Sequence, residues 1–467
     1  MSTAADAAGT TPSIPRPARR GPADVPFGFP TPALAGELAA RRGEPDWLRD
    51  ERLAAAAAYD ALPSESNLLY TPYIDLRGAS LDGVQPYIVT ASGPVAGAEG
   101  TLPDGTAGLI ELREDGVAAL VLEPSLVAAG VVLETFASAL SRDDAGFRAA
   151  LQSGATLQLD DKFAQLARGF WNQGVHLHVP AGVKVDRPIL VRWAVGQPNR
   201  AVIGRMLFRL DEGASASVVE ELVPSVTGVQ PAQALMAGTT EVILGTDATL
   251  AFASIQDLAP TQIVFQHRQA LIGEAAMLRW ALAQMGSRLV RSRVDNRLEG
   301  DRSEVEQVEI LFGTEDQLFD LTSYTRHVGR DTTGNLLSKG ALLDSARSYM
   351  KGMIVIEKSA VGSDSFLGEY GMNLSKKTRA VAVPSLEIDQ PDCRRAAHSS
   401  AVGPIDEAQL FYLESRGIPP DEARKFIVLG YLEPVVARVP LVEAQDMLRE
   451  LLEEKWAAGL VAPSTAA

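Results

Sequence analysis

At 467 residues, with 46% hydrophobic and 22% charged side chains, the chain has an ordinary globular composition and enough length for two or three structural regions. Its net charge of −16 argues against a nucleic-acid partner or an anionic membrane surface. The single cysteine, Cys393, excludes an internal disulfide framework and any four-cysteine cluster or zinc site made by this chain alone.

Residues 1–31, rich in Ala, Pro, Thr and Gly, cannot bury enough surface to fold and are expected to form a disordered tail. The opening MSTAADAAGTTPSIPRPARR lacks the apolar core of a secretory signal, and no segment has the roughly twenty apolar residues of a membrane span. A cytoplasmic location is the expectation. Residues 32–172 read as a mixed, largely helical region. Leu34, Leu38, Trp47, Leu48 and Leu53 carry helical spacing, and Gly43 with Pro45 divides them into two helices. Residues 70–125 read as loops and short strands. Helical spacing returns over 131–151 and at Phe163, Leu166 and Phe170. The pairs Asp143-Asp144 and Asp160-Asp161 read as helix N-terminal acids rather than an acid–base couple.

From 173 to 403 the period is two. Val175, Leu177 and Val179 alternate with His176 and His178, which share one strand face. Two histidines without a third ligand favour a solvated face over a metal site. Turns follow at 211–213, 245–247, 273–274, 299–301 and 313–315, and this uneven spacing defines no repeat. Many short strands with little helix indicate an all-β sandwich, barrel or solenoid. His327 reads as structural, and His267 carries no hypothesis.

Residues 404–467 return to helix. Asp406 is a good N-cap with Gln409 as its capping-box partner, and Gly417 closes that helix as a C′ glycine. Pro419 and Pro420 restart the chain, with Asp421 and Glu422 in the next first turn. Pro434 is expected to kink or end this second helix. A last helix from Leu441 to about Trp456 carries the stripe Met447, Leu448, Leu451 and Leu452 beside a solvated acidic face, and the final residues are expected to fray. The phosphate-loop pattern G-x-x-x-x-G-K-[ST], the G-x-S-x-G elbow and the H-E-x-x-H pair do not occur, so ATP hydrolysis by this chain is not expected.

The runs from His398 to Gly403, Ile405-Asp406-Glu407, Gln409-Leu410-Phe411-Tyr412-Leu413 and Ser415-Arg416-Gly417-Ile418 resemble, without a gap, the C-terminal signature of the SufB/SufD family. Members of that family assemble iron–sulfur clusters with the ABC-type ATPase SufC. Shorter likenesses at Asn172-Gln173-Gly174, Val179 to Val183, Ser338-Lys339-Gly340, Asn373-Leu374-Ser375 and Pro384 to Ile388 extend the resemblance over roughly 163–436. It implies a mainly β chain: a right-handed parallel β-helix over 173–403, flanked by N-terminal and C-terminal helical regions. SufB proteins divide separate tasks among several cysteines, so one cysteine favours the SufD branch.

By resemblance the chain is a scaffold rather than an enzyme. It pairs with a SufB-like subunit through the β-helix ends and binds SufC through 406–437, where Asp406, Gln409, Phe411, Tyr412, Arg416 and Gly417 are the contact candidates. The resemblance places His398 at a histidine implicated in cluster formation at the SufB–SufD interface, as an iron ligand of a transient cluster. A neutral imidazole suits iron, although a lone histidine near a strand end is more often a packed structural residue. Cys393 is the second candidate, since thiolates bind clusters and Arg394 and Arg395 favour a thiolate they face. The family's cysteine two positions before the histidine is Ala396 here, which leaves a plain thiol the favoured reading. No intrinsic cofactor is implied; a flavin in the complex and a homodimer stay open. The alternatives are a β-helix carbohydrate-active enzyme and a purely structural SufD-like homodimer.

Overall fold

The computed structural model describes residues 27–88, 100–142, 145–152, 159–439 and 442–461. Asp143-Asp144, most of the expected tail and the last residues of the chain lie outside that set. The N-terminal part runs α1 (Pro32–Arg42), α2 (Asp46–Ala61), β1 (Gln85–Pro86), β2 (Gly108–Arg113), β3 (Gly116–Leu122), α3 (Pro124–Ala128), β4 (Val132–Thr135), α4 (Phe136–Ser141), α5 (Ala145–Gln152) and α6 (Lys162–Phe170). Gly43, at φ 61°, ends α1 in the left-handed conformation a glycine adopts without steric cost. Asp161 caps α6 by accepting from the Ala164 amide. The 131–151 stretch is a strand followed by two short helices rather than one helix, because Val132–Thr135 pairs antiparallel with the first long strand of the next region.

That region alternates strands between two sheets. The first sheet takes β5 (Gln173–Val179), β7 (Arg200–Leu210), β9 (Ala234–Leu244), β11 (Gln262–Ile272), β13 (Leu289–Leu298), β15 (Leu318–His327), β17 (Arg347–Ile356) and β19 (Arg379–Ile388). The second takes β6 (Ile189–Val195), β8 (Ser215–Pro224), β10 (Thr249–Gln256), β12 (Met277–Gln284), β14 (Glu304–Gly313), β16 (Thr333–Leu342), β18 (Asp364–Asn373) and β20 (Arg395–Pro404). Each strand pairs in parallel with the strand one coil on. Thr249 lies beside Met277, Met277 beside Glu304, Glu304 beside Thr333, Thr333 beside Asp364, and Asp364 beside Arg395. This is a parallel β-solenoid of about eight turns.

The repeat that the turns did not reveal is therefore present. Turns 211–213, 245–247, 273–275, 300–302 and 329–331 stack at one corner, and 313–315 belongs to another, so reading them as one series scrambles the spacing. At the stacked corner Gly213, Asp247, Ala275, Arg302 and Asp331 adopt positive φ. Their amides donate in turn to the Thr246, Glu274, Asp301, Arg330 and Val361 carbonyls of the following coil. Glycine precedes this residue where coils touch most closely: a Cβ on Gly273 would lie 2.6 Å from the Leu244 carbonyl oxygen.

Both sheet faces are covered. Inward residues such as Phe208, Phe252, Trp280, Val294 and Leu311 fill the lumen. The outer face of the first sheet packs Ile203, Ile263 and Phe265 against Phe163, Leu166 and Phe170 of α6. The outer face of the second packs Val219, Ala281 and Ile310 beneath α8 (Pro420–Val436) and α9 (Val442–Val461), through Val428, Leu432, Leu448 and Trp456. Pro434 lies in the last turn of α8, which runs only two residues further, to Val436. Among the described residues no helix is long and apolar enough to cross a membrane.

Buried ion pairs reinforce the first cover. His267 Nε2 lies 2.8 Å from Asp295 Oδ2, and its Nδ1 lies 3.6 Å from Asp161; Arg293 bonds both acids. Burial alone would lower the His267 pKa, but the two carboxylates outweigh it and hold the imidazolium above its ordinary range, while both aspartates sit below theirs. Glu65, Arg291, Asp320 and Lys351 form a second such group.

Two stability predictions follow from this construction. Gly273→Ala should cost about 2 kcal/mol or more by forcing adjacent coils apart, whereas Gly430→Ala, with open space around it, should be neutral or stabilising within about 1 kcal/mol; denaturant melts measure both. His267→Ala should destabilise by about 3 kcal/mol at pH 6. A raised folded pKa makes this contribution full below the unfolded value of about 6.5 and lost as pH rises through the folded value, so the cost should shrink at alkaline pH.

Candidate functional site

A solenoid exposes polar backbone wherever its stack of coils ends. At the N-terminal end both sheets are finished by antiparallel strands, β4 against β5, and β3 against β2 beyond β6. At the C-terminal end nothing follows β19 and β20. Their residues are half-exposed or exposed throughout, whereas strands such as β13 are almost wholly buried. Two parallel strands thus present free edges at the end of the lumen.

His398 sits within β20, rather than near a strand end, and is exposed. Register places it beside Leu367 of the coil beneath, and Ser400 beside Glu369. Leu367 is buried in the lumen, so His398 belongs to the inward face of the terminal coil and is exposed at its end. Among the described residues it has no hydrogen-bond or ionic partner, which frees both ring nitrogens for a ligand from outside.

Cys393 lies in the turn before β20, half-buried, and packs with Leu386 and Ala396 against the cluster holding Ile356 and Ala360. Arg394 and Arg395 turn away from it, to Asp331 and to Asp364 respectively. The structure does not bring Cys393 and His398 together at one site, and it removes the arginines as activators of the thiol.

One row of inward residues runs along the second sheet to this end: Glu220, Ser254, Leu282, Glu309, Ser338, Glu369 and Ser400. Glu220 bonds Ser254 and Arg268. Glu309 and Glu369 lack an ion-pair partner within bonding distance among the described residues, and burial pushes them up to about 7 and about 8. Nothing in strand periodicity signals these acids, because a glutamate in an alternating strand reads as solvent-facing.

The second exposed surface is helical. Asp406 caps α7 (Glu407–Ser415) by accepting from the Ala408 amide at 2.8 Å, and Gly417, at φ 87°, ends it. The Ile418 amide donates to the Leu413 carbonyl across that turn. No α7 residue is buried. Phe411 is 72% exposed and Tyr412 57%, with the Arg416 guanidinium over the Tyr412 ring. A groove of about 430 Å³ runs between α7 and α8, lined by Ala408, Gln409, Tyr412, Leu413 and Ile427. Phe426 adds to this surface at 61% exposure. It falls off the Ala423, Val428, Leu432, Val435 stripe that buries α8.

The remaining histidines are structural. His176 is buried rather than solvated, 3.1 Å from Glu134 and against Phe147. His178 bonds Asp211 at 2.8 Å. His327 is buried with Nδ1 on Thr332, and burial lowers it to about 4, so it is neutral. Among the described residues no group of three or more His, Cys, Asp or Glu side chains is arranged to hold a metal ion.

Residues 193–431 match the family model for the SUF system FeS cluster assembly, SufBD core domain. The chain is 26% identical over 428 residues to the iron–sulfur cluster assembly protein SufD of Bacillus subtilis, covering 88% of this chain and 94% of that one. It is 25% identical over 431 residues to iron–sulfur cluster assembly SufBD family proteins of Staphylococcus epidermidis and Staphylococcus aureus, covering 90% of this chain and 91% of each.

The buried row generates a pH-dependent prediction. A carboxyl with a raised folded pKa loses stability as pH rises from the unfolded value of about 4.3 through the folded one. Glu309→Gln should therefore leave stability unchanged near pH 4 and raise it by on the order of 2 kcal/mol at pH 8, read from denaturant melts at the two pH values.

Proposed function

The chain belongs to the SufBD family of iron–sulfur cluster assembly proteins, and we propose that it works there as a SufD-like scaffold subunit rather than an enzyme. The observation that carries this reading is the unfinished end of the solenoid, where two free strand edges frame the exposed imidazole of His398. A SufB-like subunit presenting its own terminal coil would continue both ladders, satisfying the backbone donors and acceptors that β19 and β20 leave open. Such a partner would also place its ligands over this end.

His398 then supplies one neutral nitrogen donor to iron of a nascent cluster, which is cargo rather than a resident cofactor. The further donors come from the partner. Cys393 has no part in this scheme, since it is packed into the corner.

SufC is the proposed partner of the α7–α8 surface. Phe411, Tyr412 and Phe426 supply the exposed apolar and aromatic anchors, Arg416 a charged rim, and the groove beside Gln409 a recess. Asp406 and Gly417 act by fixing the ends of α7. Because α8 is seated on the second sheet, with Lys339 Nζ donating to the Tyr431 carbonyl, a displacement of α7 and α8 by the ATPase reaches β16, two strands from His398. The purely structural SufD-like homodimer is separated from this reading by whether His398 matters.

Co-expression with the host's SufB-like and SufC-like subunits tests these assignments. His398→Ala should leave the complex assembled but lower its bound iron and sulfide at least tenfold; unchanged iron and sulfide would make this subunit an architectural brace. The pair Phe411→Ala, Tyr412→Ala should weaken capture of the ATPase by about 3 kcal/mol, roughly a hundredfold, while leaving the SufB-like subunit bound. Undiminished capture would remove α7 from the ATPase interface.

A further inference from the structure

A buried carboxyl group with a free oxygen, lying one coil below an unpartnered histidine, calls for a ligand. Glu369 is 2% exposed, and its Oε2 has no hydrogen-bond partner among the described residues. The Val383 amide donates to the carboxyl group. The nearest cation in charge terms, Lys351, is on the other side of the first sheet, bonded to Asp320 at 2.6 Å. Leaving a carboxyl buried and incompletely bonded is costly, and Leu282 and Ser338 show that the same row accepts uncharged side chains.

The surroundings are fitted to the carboxylate. A Cβ on Gly352, across the lumen, would meet Leu367 Cδ2 first and lie 2.8 Å from Glu369 Oε1, so a side chain there would crowd both Leu367 and the carboxyl group. Above Glu369 the terminal coil carries Ser400 directly in register and His398 two residues before it on the same inward face. Such diagonal neighbours lie about 7–8 Å apart at the backbone, within joint reach of a glutamate and a histidine side chain. A cation bridging them needs about 2 Å to each donor, a separation those side chains can meet.

We propose that Glu369 is a second protein ligand, with His398, of a divalent-cation site at the C-terminal end of the solenoid, taking ferrous iron or a similar first-row ion. This rests on the reading of His398 as an iron ligand and adds a donor from within the same subunit. One nitrogen, one carboxylate oxygen and the neighbouring Ser400 hydroxyl make an incomplete coordination shell. The remaining positions are left to water, sulfide or groups on a docked partner, which suits an ion that is passed on rather than kept.

Anaerobic titration of the full-length chain with Co²⁺, followed by its visible absorption, and with Fe²⁺ by calorimetry tests the site. The wild type should bind about one equivalent. Glu369→Gln, nearly isosteric, should weaken binding at least tenfold with an unchanged or higher melting temperature, and His398→Ala should do the same. Gly352→Ala should weaken binding by displacing the carboxylate. Wild-type binding by Glu369→Gln overturns the proposal: if His398→Ala still loses the ion, the role of His398 survives alone, and if His398→Ala also binds normally, both readings fall. A wild-type chain that takes up neither ion overturns it equally.

Discussion

The constraint on which this structure depends is that a parallel stack of coils must end somewhere. Each coil satisfies the backbone groups of the one before it, through the strand ladders and the corner bonds from Gly213 to Asp331. The chain begins the stack with short antiparallel strands, β3 and β4, that cover the edges of the first coil and become the sheet edges themselves. It provides no such finish after β19 and β20. A free edge of this kind is an aggregation hazard unless it is used, and the exposed Ile388 and Val402 add apolar surface beside it.

The coverings elsewhere make that end stand out. Helices α1, α2 and α6 with their buried ion pairs close the outer face of the first sheet, and α8 with α9 closes the second. Buried pairs of this type contribute less net stability than their number suggests, because desolvation offsets most of the attraction. Their effect is specificity: Asp161 and Glu65 find their partners only when the N-terminal segment lies in one place on the solenoid. Helix α7 is the exception, attached through α8 and apolar on its open side.

Much of this was legible in the residues. Gly43 and Pro45 separate α1 from α2, Asp406 and Gly417 bound α7, and the C-terminal signature pointed to the family and through it to the solenoid. The coil repeat was hidden because turns from two corners interleave along the chain. The two-residue period was legible, but it did not separate core from surface, because both sheet faces are buried in strands such as β7 and β12. Burial of His176 and the pairing of His267 depend on helices distant in sequence and leave no local mark. The open end did leave one: Pro384 in the middle of β19 and the Ala- and Ser-rich β20 are what an edge strand tolerates and a central one does not. Glu369 left none, since only register shows that it faces the lumen.

The central claim is that the terminal coil is completed by a partner subunit. Hydrogen exchange of the backbone amides of β19 and β20, compared between the isolated chain and its complex with a SufB-like subunit, tests it most directly. The account predicts fast exchange along 379–388 and 395–404 in the isolated chain and strong protection in the complex, with β13 and β14 protected in both. Exchange at the terminal coil that stays fast in an assembled complex would contradict it and place the subunit interface elsewhere.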